Sequence, residues 1–401
     1  MSQQGQASSQ HPPNSSPDMF KEQAAKALES LRWLPAYGWQ RLARRAARQG
    51  DAHLVIALAD HFEPAYLPET PSEFASLEEQ ERRLERWCAE YPKIFDRWRD
   101  TDGRPFRHTY FYPAEQYDES LIERLAEHCH EGWGEVEIHL HHGIHAPDTA
   151  ENTRRALLEF RDTLAGHGCL SRWNGEGPPR YAFVHGNWAL ANSSEGRCCG
   201  VDEEMQILAE TGCYADLTLP SAPHPTQIAK INALYECALP LDQRVPHRAG
   251  RNLRRGQAPQ IFPLMIQGPL GLNFARRIKG LPVPRIENSA LTGSYPPTLQ
   301  RLKLWQRAAI TVEGEPNWLF VKLHCHGMNP EDESAMLGDG IQRFLQEITE
   351  WSQAGNGPSL HFVTAREMVN LILAACDGRS GNPGDYLDYR LQLIKPNGAA
   401  S

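Results

Sequence analysis

Short apolar runs, separated by stretches with helical spacing, constrain this chain more than any single motif does. Residues 53–59 (HLVIALA), 106–112, 134–140, 180–184, 213–219, 318–323 and 360–363 have the length and composition of strands. The run HLVIALA is apolar throughout, as suits a strand buried on both faces. Helical spacing fills the gaps at 77–98, 119–130, 148–164, 201–211, 298–310, 341–351 and 365–373, with Asp148 or Thr149 as a natural N-cap. Such alternation predicts a parallel α/β sheet or barrel. At 401 residues, one barrel domain with extensions is as reasonable as two domains.

Polar, chemically capable residues recur where these strands end: Asp60-His61, His141-His142, His185, Ser221 and His324. In a parallel barrel all such ends meet on one face, where chemistry is carried out. An open doubly wound sheet would also use strand carboxyl ends, but no Gly-x-Gly-x-x-Gly loop follows any strand, which argues against a dinucleotide site. The densest cluster follows the third strand, where residues 134–147 read GEVEIHLHHGIHAP. Alternation puts His139 and His141 on one side of that strand, and His145 lies beyond it in a loop. His141 and His145 can offer two neutral imidazoles to one metal ion. A water-activating site needs about three protein ligands and an open position, so a third ligand is expected from Asp60-His61. A carboxylate beside the ion can serve as general base, and His324 can protonate a leaving group.

The remaining chain divides by composition. Residues 1–18 are polar and Ser, Gln and Pro rich, hence an expected disordered tail. Residues 19–50 have the pattern of basic amphipathic helices, packed on the main domain or resting weakly on an anionic membrane surface. Residues 51–376 form the expected barrel, with an elaboration at 222–300 rich in Pro, Gly and Arg, and 377–401 a polar tail. Within the elaboration, 260–267 (QIFPLMIQ) suggests a strand. The arginines at 248–255 point to an anionic group on a ligand, such as a phosphate. A net charge of −9 argues against general nucleic-acid binding, and no apolar run is long enough for a transmembrane segment. The N-terminus lacks the apolar core of a secretory signal. Nine scattered cysteines, with no Cys-x-x-Cys, fit reduced thiols in a cytoplasmic protein.

These residues together resemble the NodB-like polysaccharide deacetylase superfamily, metal-dependent enzymes on a distorted (β/α) barrel of about seven parallel strands. Leu58-Ala59-Asp60-His61 stands where that family carries Thr-Phe-Asp-Asp. The resemblance implies Asp60 as general base and His61 as metal ligand. Glu137-Ile138 followed by His141-His142-Gly143-Ile144-His145 matches the family's His-Ser/Thr-x-x-His motif, implying His141 and His145 as ligands, with His142 a neighbour. His185-Gly186-Asn187-Trp188 occupies the place of the Arg-x-Pro motif without matching it. His185, Asn187 and Trp188, with Asp216 and His326, become candidate substrate contacts. Leu323-His324 matches the last motif, implying His324 as catalytic acid. The likeness spans about residues 53–375 and suggests a divergent branch.

The expected function is therefore a metal-dependent hydrolase, with Zn2+ as the cofactor, that deacetylates an N-acetylated or otherwise acylated polysaccharide or sugar precursor. Two alternatives remain. A glycoside hydrolase would need two carboxylates flanking the bond, with Asp216 or Glu63 as partner to Asp60. A non-catalytic glycan-binding protein would keep the fold without turnover.

Overall fold

The computed structural model of the protein describes residues 31–44, 52–70 and 73–394. The expected N-terminal tail and most of the basic helical segment fall outside them. What is described of that segment is a turn, Leu31–Trp33, and the helix Leu34–Ala43. This helix is packed against the body. Trp33 is fully buried, Gln40 donates to the Ile231 carbonyl at 2.8 Å, and Arg44 donates to the Asn232 carbonyl at 2.8 Å. Trp39 and Leu42 are left on its exposed side.

The strands, in chain order, are β1 (His53–His61), β2 (His108–Pro113), β3 (Gly134–Leu140), β4 (Ser171–Trp173), β5 (Glu176–His185), β6 (Cys213–Asp216), β7 (Leu234–Cys237), β8 (Gly250–Asn252) and β9 (Leu264–Ile266). After them come β10 (Gly271–Asn273), β11 (Arg277–Ile278), β12 (Leu281–Pro282), β13 (Arg285–Glu287), β14 (Trp318–Cys325), β15 (Ser359–Val363) and β16 (Leu391–Leu393). The main path of the sheet runs β14-β1-β2-β3-β5-β6-β9-β7-β8. From β14 to β9 the pairs are parallel, whereas β7 and β8 add antiparallel. The sheet curls into a half barrel of nine mostly parallel strands; a closed barrel of about seven strands is not what is observed. Part of the expected elaboration at 222–300 thus supplies the sheet's far edge. β15 pairs with β1 over His53–Ala57, and β2 takes over the same edge from Leu58.

Helices on the convex side bury one face each, for example Leu77–Phe95, capped by Ser76, and Ala150–Gly166, capped by Thr149. The concave side is filled differently. The helix Ala365–Cys376 is buried along its whole length and packs on Val55, Ala57, Ala59, Ala182 and Val184. Its sequence, AREMVNLILAAC, is apolar nearly all round, as a helix buried on every face must be. Its two charges have partners: Arg366 pairs with Glu135 of β3 at 2.7 Å, and Glu367 with Arg107 at 2.6 Å. The chain after Asp377 still belongs to the fold, since Leu391–Leu393 pairs with β4. All nine cysteines are unpaired, and among the described residues no helix is long and apolar enough to cross a membrane.

Candidate metal centre

Successive strand residues point to opposite faces of a sheet. In β1, Val55, Ala57 and Ala59 face the concave side, whereas Leu54, Ile56 and Leu58 face the convex core. His61 continues the first set and Asp60 the second. In β3, Val136, Ile138 and Leu140 face the convex core, so Glu135, Glu137 and His139 look inward. In β14, Trp318 and Phe320 are concave, and Lys322 and His324 follow them in phase. The alternation therefore sorts the histidines of the rim into two sets.

The concave set converges. His61 is centred 5.0 Å from His139, 4.6 Å from His326 and 6.4 Å from His324, and His139 is 4.4 Å from His141. Glu63, two residues beyond His61 and in phase with it, reaches into the same space. Two groups of three side chains could each hold an ion, His61-Glu63-His326 and Glu63-His139-His141, and Glu63 belongs to both. They border a cavity of about 450 Å³ also lined by Tyr66, Asn187, Trp188, Asn288, His324, Asn329 and Asp332.

Several features fit this donor set to a metal such as zinc. His139 Nδ1 donates to the Val184 carbonyl at 2.7 Å, and His141 Nδ1 donates to Glu115 at 2.6 Å. Acceptors at Nδ1 fix the tautomer and leave Nε2 as a lone pair, the usual support for a metal-binding imidazole. His139 Nε2 is buried with no hydrogen-bond partner, 3.4 Å from Glu63 Oε1. Burial, with the neighbouring imidazoles, pushes His61 well below its ordinary value, so it is a neutral donor. Burial would raise Glu63, but His139 and His141 beside it outweigh that and hold it down to about 2. Against this, burial of His141 is outweighed by its Glu115 bond and the Glu63 charge, which raise it and favour a ring proton that a bound ion would have to displace.

Some expected site residues lie elsewhere. Asp60 is fully buried on the convex side, where it accepts from the Gly327 amide at 2.7 Å and from His108 Nδ1 at 3.2 Å. It cannot act as base in this cavity, because its neighbour His61 takes the concave face. His145 is exposed beyond Gly143 and joins neither ligand group. His185 is convex, 3.0 Å from His142. Asp216 is buried and bonded by the Thr218 hydroxyl at 2.8 Å, with burial raising it to about 7, and it does not border the cavity. His61, His141, His324, His326, Asn187 and Trp188 do border it. Glu63 and His139 are the additions. Their signal was present as phase, each lying two residues from another histidine of the cluster.

The arginines of the 244–255 stretch are largely occupied. Arg251 bonds Glu236, Arg254 bonds Glu313 and Arg255 bonds Glu315. Arg248 lines a neighbouring cavity of about 740 Å³, which shares Asn187, Trp188 and Asn288 with the first. Compared with protein-family models and with curated proteins, the chain matches none.

Proposed function

We propose that the chain is a metal-dependent hydrolase, acting on the acyl-nitrogen bond of an N-acylated sugar or glycan. The observation that carries this reading is the convergence of His61, His139, His141, His326 and Glu63 at the concave rim of a parallel sheet, beside a cavity open to a small ligand. Glu63, common to both groups, would hold the ion together with His61 and His326 or with His139 and His141. A divalent cation bound there supplies Lewis-acid activation of water and of an acyl carbonyl.

The chain's own residues do the rest. Glu115 and the Val184 carbonyl hold two imidazoles in orientation. His324, on the cavity wall, is placed to take a proton and return it to the departing amine. Tyr66 and Trp188 offer ring surface to a sugar, and Asn187 and Asn288 offer amides to its hydroxyls. The adjoining cavity of about 740 Å³ gives room for a ligand longer than one sugar unit. The resemblance to NodB-like deacetylases selects the amide as the bond.

The test is metal analysis of the purified protein, followed by carboxylic acid release from N-acetylated and N-formylated sugars and oligosaccharides with zinc, cobalt or manganese present. Release that falls at least 100-fold in Glu63→Ala and His139→Ala supports the reading. Liberation of reducing ends without acid overturns it in favour of glycoside cleavage, and glycan binding without turnover overturns it in favour of a lectin-like role.

A further inference from the structure

The convex set of rim histidines also has partners. His142 follows His141 but faces the other side of the sheet, where it meets His185, Cys199 and Glu204. One donor atom from each of the four lies within 4.8 Å of the other three. Glu204, His185 and Cys199 are fully buried and His142 nearly so.

The hydrogen bonds around them restrict where protons can be. His142 Nδ1 lies 2.9 Å from Asp148 Oδ2, and His185 Nδ1 faces the Gly186 carbonyl. Both partners are acceptors, so each ring places a proton on Nδ1. A neutral ring then leaves a lone pair on Nε2. Those two Nε2 atoms are 3.0 Å apart, and Glu204 Oε1 is 2.9 Å from one and 3.2 Å from the other. With both rings neutral, these three atoms are acceptors crowded together out of reach of water, with no donor among them. Tetrahedral nitrogen or oxygen ligands about 2.0–2.1 Å from a zinc ion lie roughly 3.3 Å apart, close to this spacing. Cys199 Sγ, 3.7 Å from Glu204 Oε2, completes a set of two nitrogens, one oxygen and one sulfur.

We propose that His142, His185, Cys199 and Glu204 form a closed structural site for a zinc-type divalent cation, separate from the cavity on the concave face. Binding converts the Cys199 thiol to a thiolate, its proton leaving to solvent. Two imidazoles then stay neutral, and thiolate and carboxylate balance the dication, so no net charge is buried. Asp148 and the Gly186 carbonyl orient the rings, the support expected around a metal ligand. Four protein ligands and full burial leave no position for a substrate.

The site ties together pieces that regular structure does not hold. Between β5 and the helix Glu204–Thr211, the chain is irregular, with positive φ at Asn187, Trp188, Ala191, Asn192, Glu195 and Cys198. Cys199 and Glu204 fasten the end of this loop to His142 and His185 at the strand ends. The loop carries Asn187 and Trp188, which wall the concave cavity. The staple thus fixes that wall from behind.

The experiment uses the full chain loaded with Co2+, and X-ray absorption of the zinc form. The expected result is a sulfur in the metal shell of the wild type, one per chain (half a sulfur per metal when the concave site is also filled), and a thiolate-to-cobalt charge-transfer band. The band is lost in Cys199→Ser, kept in Cys325→Ser, and kept in the His61→Ala, His326→Ala double variant. A shell without sulfur in the wild type, or a band that survives Cys199→Ser, overturns the proposal. Because the wild-type sulfur shell needs no variant, misfolding of Cys199→Ser cannot hide the outcome. Metal loss confined to the His61→Ala, His326→Ala double variant would overturn the structural site and leave the hydrolase centre standing, whereas a double variant that loses no metal would count against the hydrolase centre only.

Discussion

His141 and His142 are adjacent, yet they serve opposite faces of one sheet. The same division separates His61 from Asp60, and it assigns the work of each. Glu115 touches the metal group only through His141, so Glu115→Gln is expected to lower metal affinity of the concave site about 10–100-fold, read by competition with a chelating dye. Asp60 holds His108 and the amide of Gly327 in the convex core. Asp60→Ala is expected to cost about 3 kcal/mol in chemical denaturation, by leaving two buried donors unmatched, while metal bound per folded chain stays at the wild-type level. Had Asp60 been the base of the reaction, activity would fall in the folded variant far more than stability. The sequence places these residues at a strand end but leaves their phase open. HLVIALADH is apolar on both faces, so nothing in it says which of Asp60 and His61 turns inward. In β3, by contrast, alternation is plain, and His139 and His141 are legible as one side. His145 follows Gly143 in an irregular loop, where no period extends to it.

At the scale of elements, the polar side of β3 faces the helix Ala365–Cys376 rather than water. Glu135 meets Arg366, and Glu137 accepts from the Ala182 amide at 2.6 Å and from the Tyr214 hydroxyl. The strands were readable from their apolar runs and the helix from its spacing. That the helix fills the concave side was not readable, because an all-apolar segment can be covered by many partners. Its buried ion pair makes a clear prediction. Arg366→Leu should destabilise the fold by about 3–5 kcal/mol, since it strands the Glu135 charge, and adding Glu135→Leu should restore much of that loss. Urea midpoints of the two variants provide the measurement.

For the whole molecule, the half barrel is stable only while certain buried histidines stay neutral. Burial pushes His128 down to about 3 and His361 down to about 4, in the latter against the pull of Asp102. Unfolded, both take up a proton near pH 6.5. Below that pH the unfolded chain binds more protons than the folded one, so stability falls with falling pH. The loss starts near pH 6.5 and continues to about pH 4 for His361 and about pH 3 for His128. Each group contributes at most about 1.4 kcal/mol per pH unit. Denaturant titrations at pH 7, 6, 5 and 4.5 are expected to show this decline, and His128→Leu, if it folds, to reduce the slope by one proton's worth.

The helix that plugs the curled sheet, Ala365–Cys376, comes after the strands it covers in chain order. During synthesis, the inner wall formed by Val55, Ala57, Ala59, Ala182 and Val184 therefore stays bare until residues 365–376 leave the ribosome. A chain stopped after Thr364 should be sticky and aggregate, and supplying residues 365–394 as a separate peptide should rescue part of its solubility. Maturation of this molecule is then timed by that helix: neither rim pocket can become rigid before the stopper arrives.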